Sequence, residues 1–281
     1  MPYTAEISRA NPSCFLFLID QSGSMGDLFG GRTGKRKANG VADAINRLLQ
    51  NLVLRCSTGE QVLNRFDVGV IGYAETVHPA FSGNLAGKNL IPISEIADSP
   101  ARVEERTRKV EDGVGGLIDE TVRFPVWFEP VASGRTWMCE ALCRAHQLLE
   151  DWVAQHQSSY PPTVINITDG EATDGDPTSD AQAVARSSTM DGNVLLFNCH
   201  ISSRAASPVV FPDSETGLPD KYAQLLFRMS SVLPAGLREA AQGEGFSISE
   251  KSRGFAFNAD LVELIRFLDI GTRPSNLPAR R

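Results

Sequence analysis

The stretch Cys14-Phe-Leu-Phe-Leu-Ile-Asp20 is a continuous apolar run that ends in a carboxylate and passes directly into Gln21-Ser22-Gly23-Ser24. An unbroken apolar run of this length, without polar alternation, predicts a strand buried on both faces, as in the interior of a parallel sheet. Asp20, Ser22 and Ser24 stand at alternate positions of a tight turn, so one carboxylate and two hydroxyls can converge on a point above the strand end. Hard cations take oxygen ligands in that manner, and Mg²⁺ in particular accepts a few protein oxygens while keeping waters.

Downstream of the Gly-rich stretch Gly26 to Gly34, apolar residues at Val41, Ala42, Ile45, Leu48, Leu49, Leu52 and Val53 follow helical spacing, which predicts a helix over about Lys35 to Cys56. Phe66 to Ala74 reads as a second buried strand, with Thr76 to Phe81 as its antiparallel neighbour across Glu75. From Ser82 to Phe124 the hydrophobic pattern loosens and charges cluster at Arg102 to Asp112, which reads as a surface excursion. Val126 to Pro130 reads as a short strand, and the turn Ser133-Gly134-Arg135-Thr136 leads into a helix over Trp137 to His156. Thr163 to Asp169 then repeats the opening theme, an apolar strand ending in Asp, followed by the polar loop Gly170 to Pro177.

A helix over Ser179 to Met190, a strand over Asn193 to Ile201, helices near Tyr222 to Leu233 and Ala235 to Gln242, a strand over Gly254 to Asn258 and a helix over Asp260 to Leu268 complete the order. Repeated strand-then-helix alternation predicts an α/β fold: a doubly wound, mostly parallel central sheet with one antiparallel edge strand and helices on both faces. Ligands of such sheets bind beyond the carboxyl ends of the strands, the end that carries Asp20 and Asp169. One domain is expected over 1–281, with insertions at about 82–124 and 202–253; within the second, Phe211, Tyr222 and Phe227 read as local core.

Composition narrows the partners. A hydrophobic content of 42% with 22% charged residues is that of a folded globular protein. A net charge of −7 and a pI near 5.2 argue against a nucleic-acid binder, which needs a basic face. The apolar run from Cys14 to Ile19 is too short for a bilayer span or a signal core, so a cytoplasmic location with no membrane association is expected. Five cysteines, Cys14, Cys56, Cys139, Cys143 and Cys199, read as reduced thiols; Cys139 and Cys143 share a helical spacing but lack the second pair of a zinc set.

The segment Phe15-Leu-Phe-Leu-Ile-Asp-Gln-Ser-Gly-Ser-Met25, taken with Ile167-Thr-Asp-Gly-Glu171, resembles the metal-ion-dependent adhesion site (MIDAS) of the von Willebrand factor A family. The resemblance implies a metal site formed by Asp20, Ser22, Ser24, Thr136 and Asp169. In the family the serines and the threonine bind directly and the aspartates partly through water, which leaves a position for a carboxylate from a protein partner. Thr107 and Thr121 also lie in the middle region, but Gly134-Arg-Thr-Trp-Met138 fits the family's Gly-x-Thr-x-hydrophobic pattern. The implied cofactor is Mg²⁺, with Mn²⁺ or Ca²⁺ as alternatives. A site with few direct negative ligands leaves the ion's charge uncompensated and so attracts an acidic group in trans. The wider likeness is to free-standing intracellular bacterial A-domain proteins of tellurite-resistance and stress operons, which implies a non-enzymatic scaffold or adaptor beside a kinase or phosphatase. Relatives that serve AAA+ ATPases imply a second context.

Other motifs give less. Gly30 to Arg36 departs from the Walker phosphate loop, since Phe29 stands where its first Gly belongs and Arg36 where Ser or Thr belongs. Glu171, Asp174 and Asp176 do not match the calcium-loop template. A Mg²⁺-dependent hydrolase is the competing class, yet His78, His146, His156 and His200 are scattered and no Gly-x-Ser-x-Gly elbow surrounds Ser22 or Ser24.

Overall fold

A computed structural model describes residues 3–29, 34–111, 116–201 and 207–272. In chain order the principal elements are β1 (Ser13–Asp20), α1 (Lys37–Cys56), β2 (Phe66–Tyr73), β3 (Val77–Pro79), β4 (Ile91–Pro92), α2 (Ile93–Asp98), β5 (Arg102–Glu111) and β6 (Leu117–Val126). There follow α3 (Met138–Gln155), β7 (Thr163–Thr168), α4 (Thr178–Arg186), β8 (Leu195–Ile201), β9 (Val209–Val210), α5 (Lys221–Met229), α6 (Ala235–Gly243), β10 (Phe255–Ala259) and α7 (Leu261–Gly271).

The main sheet runs β9-β10-β8-β7-β1-β2-β3, with β4 also beside β2. Its five long strands pair in parallel, and β3, β4 and β9 add antiparallel pairings. The sheet is therefore mostly parallel and doubly wound, but antiparallel strands stand at both edges instead of one. The additional edge, β9, is two residues long, too short to leave a readable pattern. From β1 the chain steps to β2 on one side and later returns to β7 on the other. The boundary between β1 and β7 is thus the topological switch point, where loops diverge and leave a crevice beyond the strand ends.

All eight residues of β1 are buried, and its side chains alternate between two layers. Phe15, Phe17 and Ile19 pack with Val41, Ile45, Leu49 and Phe267 on the side of α1 and α7. Cys14, Leu16 and Leu18 pack with Leu142, Leu149, Leu226 and Phe227 on the side of α3 and α5. Each large apolar side chain removed from water in this way stabilises the fold by about 1.5–3 kcal/mol. Asp220 and Asp260 cap α5 and α7, each carboxylate accepting two backbone N–H bonds of the first turn.

The stretch from 82 to 124 is not wholly a surface excursion: β4 pairs with β2, and Leu85, Ile91, Ile93 and Ile96 are buried in the core layer that holds α1, apolar residues too widely spaced in sequence to show a period. β5 and β6 form a two-stranded antiparallel ribbon outside the main sheet. Its residues include Arg102, Glu104 and Arg106, held by ion pairs within the ribbon and to Asp43 of α1. The Arg106 guanidinium also stands 3.6 Å from the Phe124 ring centre. At the base of the ribbon, the buried Asn46 side chain of α1 accepts from the Trp127 and Phe128 amides at 2.8 and 3.0 Å and donates to the Phe128 carbonyl at 2.8 Å. Near the other end of the chain path, the Thr4 and Ala5 amides donate to the Asp191 carboxylate at 2.9 and 3.0 Å.

Replacing Asn46 with Ala strands three buried backbone groups. Urea unfolding of Asn46→Ala is expected to show a loss of about 3 kcal/mol; a loss below about 1 kcal/mol would mean that the segment repairs itself without the side chain.

Candidate metal centre

Asp20 closes β1 opposite Tyr73 of β2 in register, one position beyond the Ile19–Ile167 pair with β7. Its carboxylate has no solvent exposure and is held by two donors: the Ser22 amide on Oδ1 at 2.8 Å and the Thr168 hydroxyl on Oδ2 at 2.7 Å. Burial pushes its pKa up to about 6, opposed by the hydrogen bonds from Ser22 and Thr168 and reinforced by the neighbouring Asp169. The Ser22 bond curls the chain back at the strand end. It sets the Ser22 and Ser24 hydroxyl oxygens 3.1 Å apart, and Ser24 donates to Asp169 Oδ1 at 2.7 Å.

Two further loops close on this turn. The Ser133 amide donates to the Gln21 carbonyl at 2.7 Å and the Gly23 amide to the Gly134 carbonyl at 3.0 Å. Gly134 has φ of +83°, where a side chain would be strained. Thr136 follows on the same loop and is buried. Its carbonyl accepts from the Thr173 amide and hydroxyl at 2.8 and 3.1 Å, and its amide donates to Thr173 Oγ1 at 3.0 Å. Gln21 turns the other way and lies on Gly72 of β2, where a Cβ would come within 2.3 Å of its oxygen. The turn therefore sits flush on the sheet.

The fold thus brings Asp20, Ser22, Ser24 and Asp169 into one hydrogen-bonded chain and docks the loop of Thr136 against it. Thr107 and Thr121 are elsewhere, paired across the β5–β6 ribbon. Among the described residues no group of three or more His, Cys, Asp or Glu side chains comes together as a metal set. The donors here are hydroxyls with two carboxylates, all oxygen and low in charge, which suits a hard divalent ion that retains water.

The centre borders a cleft of about 310 Å³ lined by Ser24, Asp27, Lys37, Asp169, His200, Tyr222 and Phe257 among others. His200 stacks on Phe257 with ring centres 4.7 Å apart. Phe211 and Phe227 are buried as expected, whereas Tyr222 lines this cleft. Cys139 and Cys143 are free thiols, and the stretch Gly30 to Thr33 lies outside the described residues.

Sequence reading missed Thr168, Thr173 and Lys37. Thr168 had a signal, since a hydroxyl at the end of an apolar strand is buried and needs a hydrogen-bond partner. Lys37 had none, because a lysine in the first turn of an amphipathic helix ordinarily points to solvent. Here it is 3% exposed, and its ammonium lies 2.5 Å from Asp169 Oδ2 and 3.8 Å from Asp27.

No protein-family model and no curated protein matches the chain. Solved structures do. A von Willebrand factor type A protein from Catenulispora acidiphila is 16% identical, with a TM-score of 0.39, over 68% of this chain and 33% of that one. Proximal thread matrix protein 1 of the mussel byssus is 13% identical, with a TM-score of 0.49, over 95% and 48%. Manganese-loaded TRAP protein of Plasmodium vivax is 14% identical, with a TM-score of 0.46, over 97% and 76%. The chain spans about a third and about half of the length of the first two.

Thr168→Val removes a donor from a buried carboxylate. It is expected to cost about 2 kcal/mol in denaturant unfolding and clearly less in an Asp20→Asn background, where the group left behind is uncharged. Equal losses in both backgrounds would show that the Thr168 hydroxyl does not act through Asp20.

Proposed function

We propose that this chain is a single, elaborated von Willebrand factor A-type domain that holds a divalent cation and uses it to bind a protein partner without catalysing a reaction. The convergence of Asp20, Ser22, Ser24 and Asp169 at the switch point carries this reading. Ser22, Ser24 and Thr136 supply neutral oxygens, and Asp20 and Asp169 supply charge that waters can relay. Mg²⁺ is the ion proposed, with Mn²⁺ or Ca²⁺ able to replace it in the same oxygen set. When bound, the ion supplies a positive centre that a carboxylate from outside can share.

The chain's own residues then have separate tasks. Thr168 and the Ser22 amide orient Asp20, the Ser133–Gln21 and Gly23–Gly134 bonds fix the middle loop, and Thr173 positions Thr136. The partner proposed is a protein that presents an acidic side chain to the cleft beside Tyr222. Neither nucleic acid nor a membrane is a proposed partner; among the described residues no helix is long and apolar enough to cross a membrane. The finer role proposed, supported by motif resemblance alone, is that of a cytoplasmic bacterial scaffold or regulatory adaptor beside a kinase or phosphatase, with an AAA+ ATPase as the alternative partner.

Calorimetric titration of Mg²⁺ and Mn²⁺ tests the central claim. The expected result is one saturable site in the wild type, weakened at least about a hundredfold in Asp20→Ala/Ser22→Ala by loss of two oxygen ligands. A folded double variant that binds as tightly as the wild type would place the ion elsewhere.

A further inference from the structure

Lys37 is the first residue of α1, a position where the helix dipole disfavours positive charge. Its side chain is only 4% exposed, in surroundings where an ammonium is tolerated only if it is paired. The backbone at Lys37 is held in place as well. The Lys37 amide donates to the Asp27 carbonyl at 2.9 Å and the Phe29 amide to the Lys35 carbonyl at 2.8 Å, so the helix start is tied to the turn after β1. The ammonium meets Asp169 Oδ2 at 2.5 Å while the other oxygen, Oδ1, accepts from Ser24.

We infer that Lys37 is a tethered cation that competes with the divalent ion for Asp169, sets a low metal affinity and keeps the domain folded when metal is scarce. This inference rests on the metal reading above and adds a control to the same site. Asp169 is shared by two positive charges when an ion is bound, and like charges a few ångströms apart in a poorly hydrated setting repel strongly. Without Lys37, Asp169 is free to compensate the ion fully. The same substitution takes from Asp169 the ammonium that pairs with it, beside a second buried carboxylate, Asp20, so the variant depends on metal for stability where the wild type does not.

The test uses the full chain as wild type, Lys37→Met, Lys37→Gln and Lys37→Arg, purified with Mn²⁺ and then stripped. Mn²⁺ affinity is measured by calorimetry, and thermal stability is measured in chelator and in Mn²⁺. Lys37→Met and Lys37→Gln are expected to bind Mn²⁺ about tenfold or more tightly than the wild type, the effect of removing one nearby like charge. They should also melt lower in chelator and gain more on adding Mn²⁺, while Lys37→Arg, which keeps the charge, stays near the wild type. A wild type that shows no binding beside variants that bind supports the same conclusion. Equal or weaker binding by Met and Gln variants beside a binding wild type overturns the inference and leaves the metal site standing. Silence from all four chains overturns both.

Discussion

A carboxylate stands at the end of a strand buried along its whole length, and much of the local architecture follows from keeping it satisfied. An ionised group in that position is costly unless donors surround it. The Ser22 amide and the Thr168 hydroxyl are those donors. Reaching Asp20 from Ser22 requires the chain to double back within two residues, which brings the Ser22 and Ser24 hydroxyls together above the sheet. Reaching it from Thr168 requires β7 to lie beside β1 in the observed register, which delivers Asp169 to the same place. The metal-type geometry is thus largely the outcome of solving a burial problem at the switch point.

The parts of this that were legible in the sequence share a physical basis. β1, β2, β7 and β8 are buried on both faces, so their runs of apolar residues announce them, and α1 and α3 each turn one apolar face to the sheet. The Asp-x-Ser-x-Ser turn and Asp169 were visible because they interrupt such runs abruptly. The ribbon of β5 and β6 was not visible, since it stands outside the core and mixes arginine and glutamate where a half-buried strand would alternate with apolar residues. β9 escaped for its brevity. Lys37 escaped for another reason: its burial depends on a turn far from it in pattern and on a carboxylate more than a hundred positions away, and no local rule relates the two.

Backbone bonds between loops, more than side chains, hold the middle of the site. The Gly23–Gly134 and Ser133–Gln21 pairs let the turn after β1 and the loop before α3 behave as one unit, and Thr173 joins the third loop to it. The first two bonds use no side-chain atom, although Gly134 must keep its positive φ, whereas the third loop relies on the Thr173 hydroxyl as well as its amide.

Asp20 and Thr168 are separated by 148 positions, and β1 finds its partner in β7 only after that whole stretch exists. At about 5–20 residues per second, a ribosome spends on the order of ten seconds between the two. Throughout that interval the nascent chain has neither the hydroxyl that steadies Asp20 nor the carboxylate that accepts from Ser24. The hydrogen-bonded chain from Asp20 to Asp169 therefore closes only after synthesis has passed β7, and a prematurely terminated product lacks it however well its first half folds.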